Sequence, residues 1–378
     1  MTSRRPERAP GDGRGAAADA AAAHESAPGP ATGSIPGADA PSAPGAAAGT
    51  ALEVTVERWP IAGGFTIARG SKTEAVVVLA RVTRGGASGV GECVPYARYA
   101  ETVDGVVAAL HAQRSAVAGG LDRIALLEAM PAGAARNALD AALWSLEARS
   151  SGMPAWRIAG LAPPQPALTA YTLSLGEPAA MAAAAARAST RPLLKVKLGD
   201  SQGGAGDDER IAAVRAAAPA ATLIVDANEA WREDTLEQRL AACAAAGVAL
   251  VEQPLPAHAD AALEGFASPV PLAADESFHG LETLDTVARR YACVNVKLDK
   301  TGGLTAALAI TAAAEARGLA LMVGCMVGTS LGMAPAFLLA GRARFVDLDG
   351  PLLLARDRVG GFRYEGSRMM PLASGLWD

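Results

Sequence analysis

From about residue 167 the chain repeats one pattern, a short β-rich run followed by an alanine-rich helical stretch. The runs are ALTAYTLS (167–174), LLKVKLG (193–199), TLIVDAN (222–228), VALVEQP (248–254), PLAADES (271–277), CVNVKLD (293–299), LALMVGC (319–325) and RFVDLDG (344–350), eight in all. Strands alternating with helices demand parallel βαβ units, and eight in series predict an α/β fold of the (β/α)8 barrel type.

Charge keeps phase with this ladder. Lys197, Asp226, Glu252, Asp275 and Lys297 each fall near the C-terminal end of a run, at intervals of 29, 26, 23 and 22 residues. In a barrel, the C-terminal ends of the strands form the mouth where active sites lie. Lys195 and Lys197 share one face of their strand, because successive side chains alternate. Taken alone, LLKVKLGD also fits a solvated edge strand, since lysines are seldom buried without partners.

Asp226, Glu252 and Asp275 end three consecutive runs and are expected to converge on the rim. Three carboxylates without a cation repel one another, and a hard divalent ion such as Mg²⁺ relieves this. Pairing with the lysines in a salt-bridge network is the alternative. Near a cation and partly desolvated, a lysine pKa falls and the neutral amine becomes a general base. Two bases flanking one metal suit removal of a proton from one face of a carbon and its return to the other. The metal would offset the charge of an enediolate formed next to a carboxylate.

These motifs carry a family resemblance. KVK, VDANEAW, VEQPLP, ADES, VNVKLDKTGG and DLDGP resemble the muconate lactonizing subgroup of the enolase superfamily, and within it the L-Ala-D/L-Glu (dipeptide) epimerases. The resemblance runs from about residue 52 to the C-terminus and includes ARGSKTEA and PAGAARNALDAALWSLEA. It implies that Asp226, Glu252 and Asp275 bind one Mg²⁺, and that Lys197 and Lys297 are the acid/base catalysts. Lys195 would hold the substrate carboxylate and assist Lys197. Asp347 and Asp349, on one face of the last strand, would hold a dipeptide's ammonium. Arg69 would meet the distal carboxylate from a mobile N-terminal loop, with an ordinary solvated arginine as the rival reading. Gly328 stands where some relatives carry an acid. The implied reaction is epimerisation of a small dipeptide at its C-terminal residue, in recycling of cell-wall peptides.

The same resemblance implies an α+β capping domain over residues 51–165, completed by about 351–378, around a barrel domain at 166–350. EVTVERW and EAVVVLARV read independently as strands. AARNALDAALWSLEARSSG reads as a helix stopped by Gly152, with Leu139, Leu143 and Leu146 on its core face. Residues 1–50 are mostly Ala, Gly, Pro and Ser, too poor in large apolar side chains to fold, and read as a disordered extension or a misassigned start. No apolar run follows the basic start, so a signal peptide is not expected.

Several classes fall away. A net charge of −5 offers no basic field for nucleic acid. Cys93, Cys243, Cys293 and Cys325 are far apart and suit a reducing cytoplasm better than zinc or disulfides. The uncharged stretch 318–341 is broken by Gly324, Gly328, Gly332 and Pro335, and reads as strand, loop and helix, not a membrane span. A homo-oligomer stays open. Cycloisomerase and o-succinylbenzoate synthase substrates carry no ammonium for Asp347 and Asp349. N-Acylamino acid racemisation is a further activity of the subgroup. An acid-sugar dehydratase would want a histidine base, and His24, His111, His258 and His279 are poorly placed. A Schiff-base lyase would not need the acids, and a mere binder would not need the lysines.

Overall fold

The computed structural model describes residues 49–199, 204, 206–373 and 375–378. The expectation for residues 1–48 lies outside them. The segment Ala51–Ile67 runs antiparallel to Gly70–Arg84, which pairs in turn with Ala87–Cys93. Helix Ala134–Ser151 lies on this sheet and stops at Gly152, whose φ of 66° is the left-handed conformation that glycine adopts freely. Leu139, Leu143 and Leu146 are buried there, with Val78, Ala80 and Val82 from the sheet. Gly89 and Gly91 let the helix come this close. A Cβ on Gly91 would sit 2.2 Å from the Ala138 carbonyl oxygen, and one on Gly89 2.1 Å from that of Ala142.

Eight parallel strands follow: Tyr171–Leu173, Leu193–Lys197, Thr222–Asp226, Val248–Glu252, Leu272–Ala274, Cys293–Lys297, Ala320–Gly324 and Phe345–Asp347. A parallel bridge between Thr169 and Val346, with Ala170 N donating to Val346 O at 2.8 Å, brings the last strand beside the first. The run 167–174 is divided: Ala167–Leu168 pairs with Arg368–Met369 near the C-terminus, and only Tyr171–Leu173 joins the barrel. The uncharged stretch forms strand Ala320–Gly324 and helix Ser330–Phe337, and no helix among the described residues is long and apolar enough to cross a membrane.

Alternation sorts each barrel strand into two faces. Leu194, Val196, Leu223, Val225, Val251, Val294 and Val296 belong to the large core beneath the helices. The opposite parity points inward. Leu193, Ile224, Leu250, Ala273, Cys293 and Met322 form a small apolar plug at the floor of the barrel. Above the plug the same faces carry Lys195, Lys197, Asp226, Glu252, Asn295, Lys297 and Asp347. The lysine pair of LLKVKLGD thus points into a barrel, and both side chains are buried.

Candidate active site

A cavity of about 770 Å³ opens at the C-terminal ends of the strands. Lys195, Lys197, Asp275, Lys297, Asp347 and Asp349 line it from the barrel, and Arg69, Tyr96, Arg98 and Tyr99 from the N-terminal segments. Asp226 and Glu252 lie just beneath, fully buried. Neighbouring strands in register bring Lys197 opposite Asp226 and Asp226 opposite Glu252.

The ion pairs are close. Lys197 Nζ lies 2.5 Å from Asp226 Oδ2, and Lys297 Nζ 2.5 Å from Asp275 Oδ2. Lys195 Nζ touches Glu252 Oε2 at 2.6 Å, Asp347 Oδ2 at 2.8 Å and Asp226 Oδ2 at 3.3 Å. It therefore links the acidic trio to the acid at the end of the last strand. Asn295 Nδ2 donates to Glu252 Oε1 at 2.8 Å, and Gly324 leaves room for the Asn295 amide, because a Cβ there would meet Oδ1 at 2.4 Å.

Charge balance sets the titration. Burial pulls Lys195 and Lys297 down, but Asp347, Glu252 and Asp226 around the first, and Asp275 and Glu252 around the second, raise both well above the lysine range. Burial likewise raises Asp226 and Asp275, and the lysines outweigh it and hold both below the carboxylate range. Glu252 goes the other way, raised by burial and by Asp226.

The trio's chemistry fits a hard divalent cation. Asp226, Glu252 and Asp275 offer only carboxylate oxygens, each at most 1% exposed, and Glu252 Oε2 is in contact with Lys195 without an aligned hydrogen bond. In this arrangement lysine ammoniums stand between them. No three Asp, Glu, His or Cys side chains among the described residues enclose an ion by themselves.

Asp347 and Asp349 both face the cavity but do not share a strand face. The strand ends at Asp347, and Asp349 (φ −90°, ψ 3°) already leads into helix Gly350–Leu353. The backbone N–H of Thr172 donates to Asp349 Oδ2 at 2.6 Å. Burial and Asp347 push Asp349 up to about 7.

Arg69 reaches the mouth from the turn between the first two strands. It donates to Glu276 Oε1 at 2.7 Å, the Asn228 carbonyl at 3.0 Å and Tyr96 Oη at 3.3 Å, and approaches Glu229 Oε2 at 3.4 Å. Arg98 holds Glu229 through two bonds of 2.6 Å. Glu276 is 1% exposed, and burial with Asp275 and Asp226 nearby pushes it up to about 7. Stripping Arg69 from it would leave a buried carboxylate with the Asn228 amide, at 3.4 Å, as its remaining donor, a loss on the order of 3 kcal/mol.

Sequence reasoning passed over several supporting residues. Lys300 Nζ holds Asp275 Oδ1 at 2.8 Å and the Asn295 carbonyl at 3.1 Å. Its spacing from Lys297 in KLDK placed it one helical turn on, which was the available signal. Gln253 Oε1 accepts from the backbone N–H of Asp275 (2.9 Å) and Ser277 (3.0 Å), tying one strand end to the next. Asn228, Glu229 and Gln253 have φ values of 47°, 68° and 37°, so two loops at the rim carry backbone strain. Glu92 accepts from the Thr329 backbone N–H and from Arg358, anchoring the loop after Gly324 to the N-terminal sheet. Gly328 lies beside this carboxylate, since a Cβ added there would come to 3.2 Å from Glu92 Oε1, and it supplies no acid to the cavity. His279 packs edge-on to Tyr99.

Known proteins share this architecture. Residues 50–160 match the mandelate racemase / muconate lactonizing enzyme N-terminal domain, and residues 179–365 the enolase C-terminal domain-like family. The L-Ala-D/L-Glu epimerase of Escherichia coli (strain K12) is 46% identical over 308 residues, 81% of this chain and 95% of that protein. An N-acetyl-D-glutamate racemase of Pseudoalteromonas sp is 46% identical over 292 residues, 76% of this chain and 91% of that one. An Agrobacterium tumefaciens enolase family member with homology to dipeptide epimerases was solved with sodium, L-Ala-L-Glu and an ordered loop. It is 51% identical, covers 87% of this chain and 100% of its own, and superposes with a TM-score of 0.85. Other dipeptide epimerases have been crystallised with Mg and a dipeptide. With the fold, the strand-end charges and two family domains in agreement, the chain belongs to the mandelate racemase/muconate lactonizing branch of the enolase superfamily.

Proposed function

We propose that this protein is a dipeptide epimerase that interconverts L-Ala-D-Glu and L-Ala-L-Glu at the C-terminal residue. One observation carries the reading: two strand-end lysines, Asp275 and an acid pair suited to an ammonium line a single cavity, with Asp226 and Glu252 paired to lysines just beneath it. The similarity to the Escherichia coli and Agrobacterium tumefaciens proteins supports the substrate. A place in recycling cell-wall peptides in the cytoplasm follows from that substrate.

Asp226, Glu252 and Asp275 would hold Mg²⁺, which when bound makes the hydrogen beside a carboxylate more acidic. Lys197 and Lys297 would each exchange a proton with the α-carbon at Nζ. Their strands are separated by three others in the sheet, so they approach that carbon from different sides. In each direction the lysine that takes the proton must be a neutral amine, and the other must be an ammonium so that it can return one to the opposite face. Their pairing with Asp226 and Asp275 holds the ammoniums in place until those acids turn to other partners. Lys195 would steady the substrate carboxylate. Asp347 and Asp349 would receive the peptide's amino terminus, and an arriving ammonium would favour the ionised form of Asp349.

Equal similarity to an N-acetyl-D-glutamate racemase supports a second reading, since that substrate keeps the glutamate and lacks the ammonium. Steady-state assays of L-Ala-L-Glu and N-acetyl-L-glutamate in Mg²⁺ buffer separate the two. The dipeptide should be the better substrate, and Asp349→Ala should cut its kcat/KM at least tenfold, about 1.4 kcal/mol. A better rate on N-acetyl-glutamate, unaffected by Asp349→Ala, would overturn the dipeptide assignment.

A further inference from the structure

We propose that Gln253 is the positioning residue of the carboxylate trio, a buried amide that holds the strand ends bearing Asp226, Glu252 and Asp275 together for a divalent cation. This rests on the reading that the trio binds Mg²⁺. Gln253 is fully buried and does not line the cavity, so it can act on an ion only through its neighbours. It follows Glu252 directly in the chain, and its backbone is bonded on both sides. Its N–H donates at 2.9 Å to the carbonyl of Ala273, on the strand that leads to Asp275. Its own carbonyl accepts at 3.0 Å from the N–H of Glu229, on the loop that follows Asp226.

The side chain closes the same circuit. Oε1 accepts from the backbone N–H groups of Asp275 and Ser277 at 2.9 and 3.0 Å. Nε2 faces acceptors: Ser277 Oγ at 2.7 Å, the Leu255 carbonyl at 2.9 Å and Tyr291 Oη at 3.0 Å. Tyr291 donates its own proton to Asp260 Oδ2 at 2.8 Å, which leaves its oxygen free to accept from the amide. Donors on one side and acceptors on the other admit an amide in a single orientation. A glutamate here would add a fourth carboxylate beside the trio and turn one oxygen against other acceptors. The backbone is held in an unfavourable conformation, with φ at 37° and Pro254 restricting it further. Such a conformation persists where its surroundings over-determine it, and here the bonds that do so reach all three strand ends. Buried carboxylates repel one another, so strand ends left unbraced would move apart, and a cation would bind more weakly for having to draw them together. Partners outside the ligand set typically change metal affinity by about 10- to 100-fold.

The test titrates Mg²⁺ into the EDTA-stripped full-length protein by calorimetry and measures melting temperature with and without the ion. Gln253→Asn tolerates a positive φ but is one methylene too short to reach the Asp275 N–H. It should raise the Kd for Mg²⁺ about tenfold or more and shrink the rise in melting temperature that Mg²⁺ produces. Leu240→Ala, in the core behind the barrel, controls for lost stability alone. It should lower the melting temperature equally with and without Mg²⁺ and leave Kd within about twofold. Should Gln253→Asn fail to fold, Tyr291→Phe removes one acceptor of Nε2 and leaves the Asp275 bond in place, and should weaken Mg²⁺ about threefold or more. Wild-type Kd in a folded Gln253→Asn overturns the proposal, as does an equal change in Leu240→Ala. Wild-type Kd in Tyr291→Phe, where Gln253→Asn does not fold, overturns it too. A wild type that shows neither heat nor stabilisation with Mg²⁺ removes the metal reading and this inference together.

Discussion

At the scale of single residues, Lys197 and Lys297 are each 2.5 Å from one acid, and they divide the work on the proposed reaction. Replacing either with alanine should stop epimerisation in both directions. Each single mutant should still exchange the α-proton of one epimer with D₂O, read by NMR, through the lysine that remains. Wild-type interconversion in either mutant would rule out two bases. Asp299 offers a different test, of stability. Its Oδ1 accepts from the Val94 N–H at 3.0 Å and Asn137 Nδ2 at 2.8 Å, while desolvation of its carboxyl pushes its pKa from 3.8 up to about 7. The folded state therefore binds this proton more tightly than the unfolded chain. The stabilisation is full below about pH 4 and is lost as pH rises toward 7. Asp299→Asn keeps the acceptor oxygen and removes the buried charge. Its melting temperature relative to wild type should rise between pH 5 and pH 8, by an amount equivalent to a few kcal/mol at most, about 1.4 per pKa unit. A constant difference across that range would show that Asp299 stays ionised in the fold at both pH values.

At the scale of elements, helix Ala134–Ser151 and the strands Gly70–Arg84 and Ala87–Cys93 make up one layered unit. Its thickness is set by Gly89 and Gly91, where the helix backbone touches the sheet. Gly91→Ala would drive a Cβ against the Ala138 carbonyl, which has no flexible end to move aside. It should cost about 2–3 kcal/mol, measured by urea unfolding. A cost below about 0.5 kcal/mol would mean that the helix can slide. The same unit carries Glu92 to Thr329 and Arg358, so a shift of the helix should also raise KM by disturbing the loop beside the cavity.

At the scale of the whole molecule, six acids and five cations meet at one end of the barrel: Asp226, Glu252, Asp275, Glu276, Asp347 and Asp349 against Arg69, Lys195, Lys197, Lys297 and Lys300. A divalent ion bound only by the folded state raises stability by mass action. Mg²⁺ at 100 times its Kd should add about 2.7 kcal/mol, seen as a higher melting temperature that EDTA reverses, with activity following the same titration. Asp275→Asn should abolish both responses. Full turnover after exhaustive chelation would sink the metal's role.

Period-two alternation along eight runs, each separated by a helical stretch, was enough by itself to specify a parallel barrel and to put Lys195, Lys197, Asp226, Glu252, Asp275 and Lys297 at its mouth. The reason is local: parity decides which face a side chain takes, and strand direction decides which end it reaches. The helix stopped at Gly152 was legible for the same reason, a 3.6-residue period ended by a residue free to turn left-handed. Partnership was not legible. That Lys195 bridges the trio to Asp347 and that Glu276 takes Arg69 depend on contacts between segments 152 and 207 residues apart, and that Asp349 belongs to a helix start depends on how the last strand ends. Such distances are set by how the N-terminal hairpin seats on the barrel and how each strand end turns. Burial then converts them into charge states, because a group's pKa follows its solvent and its neighbours rather than its place in the chain.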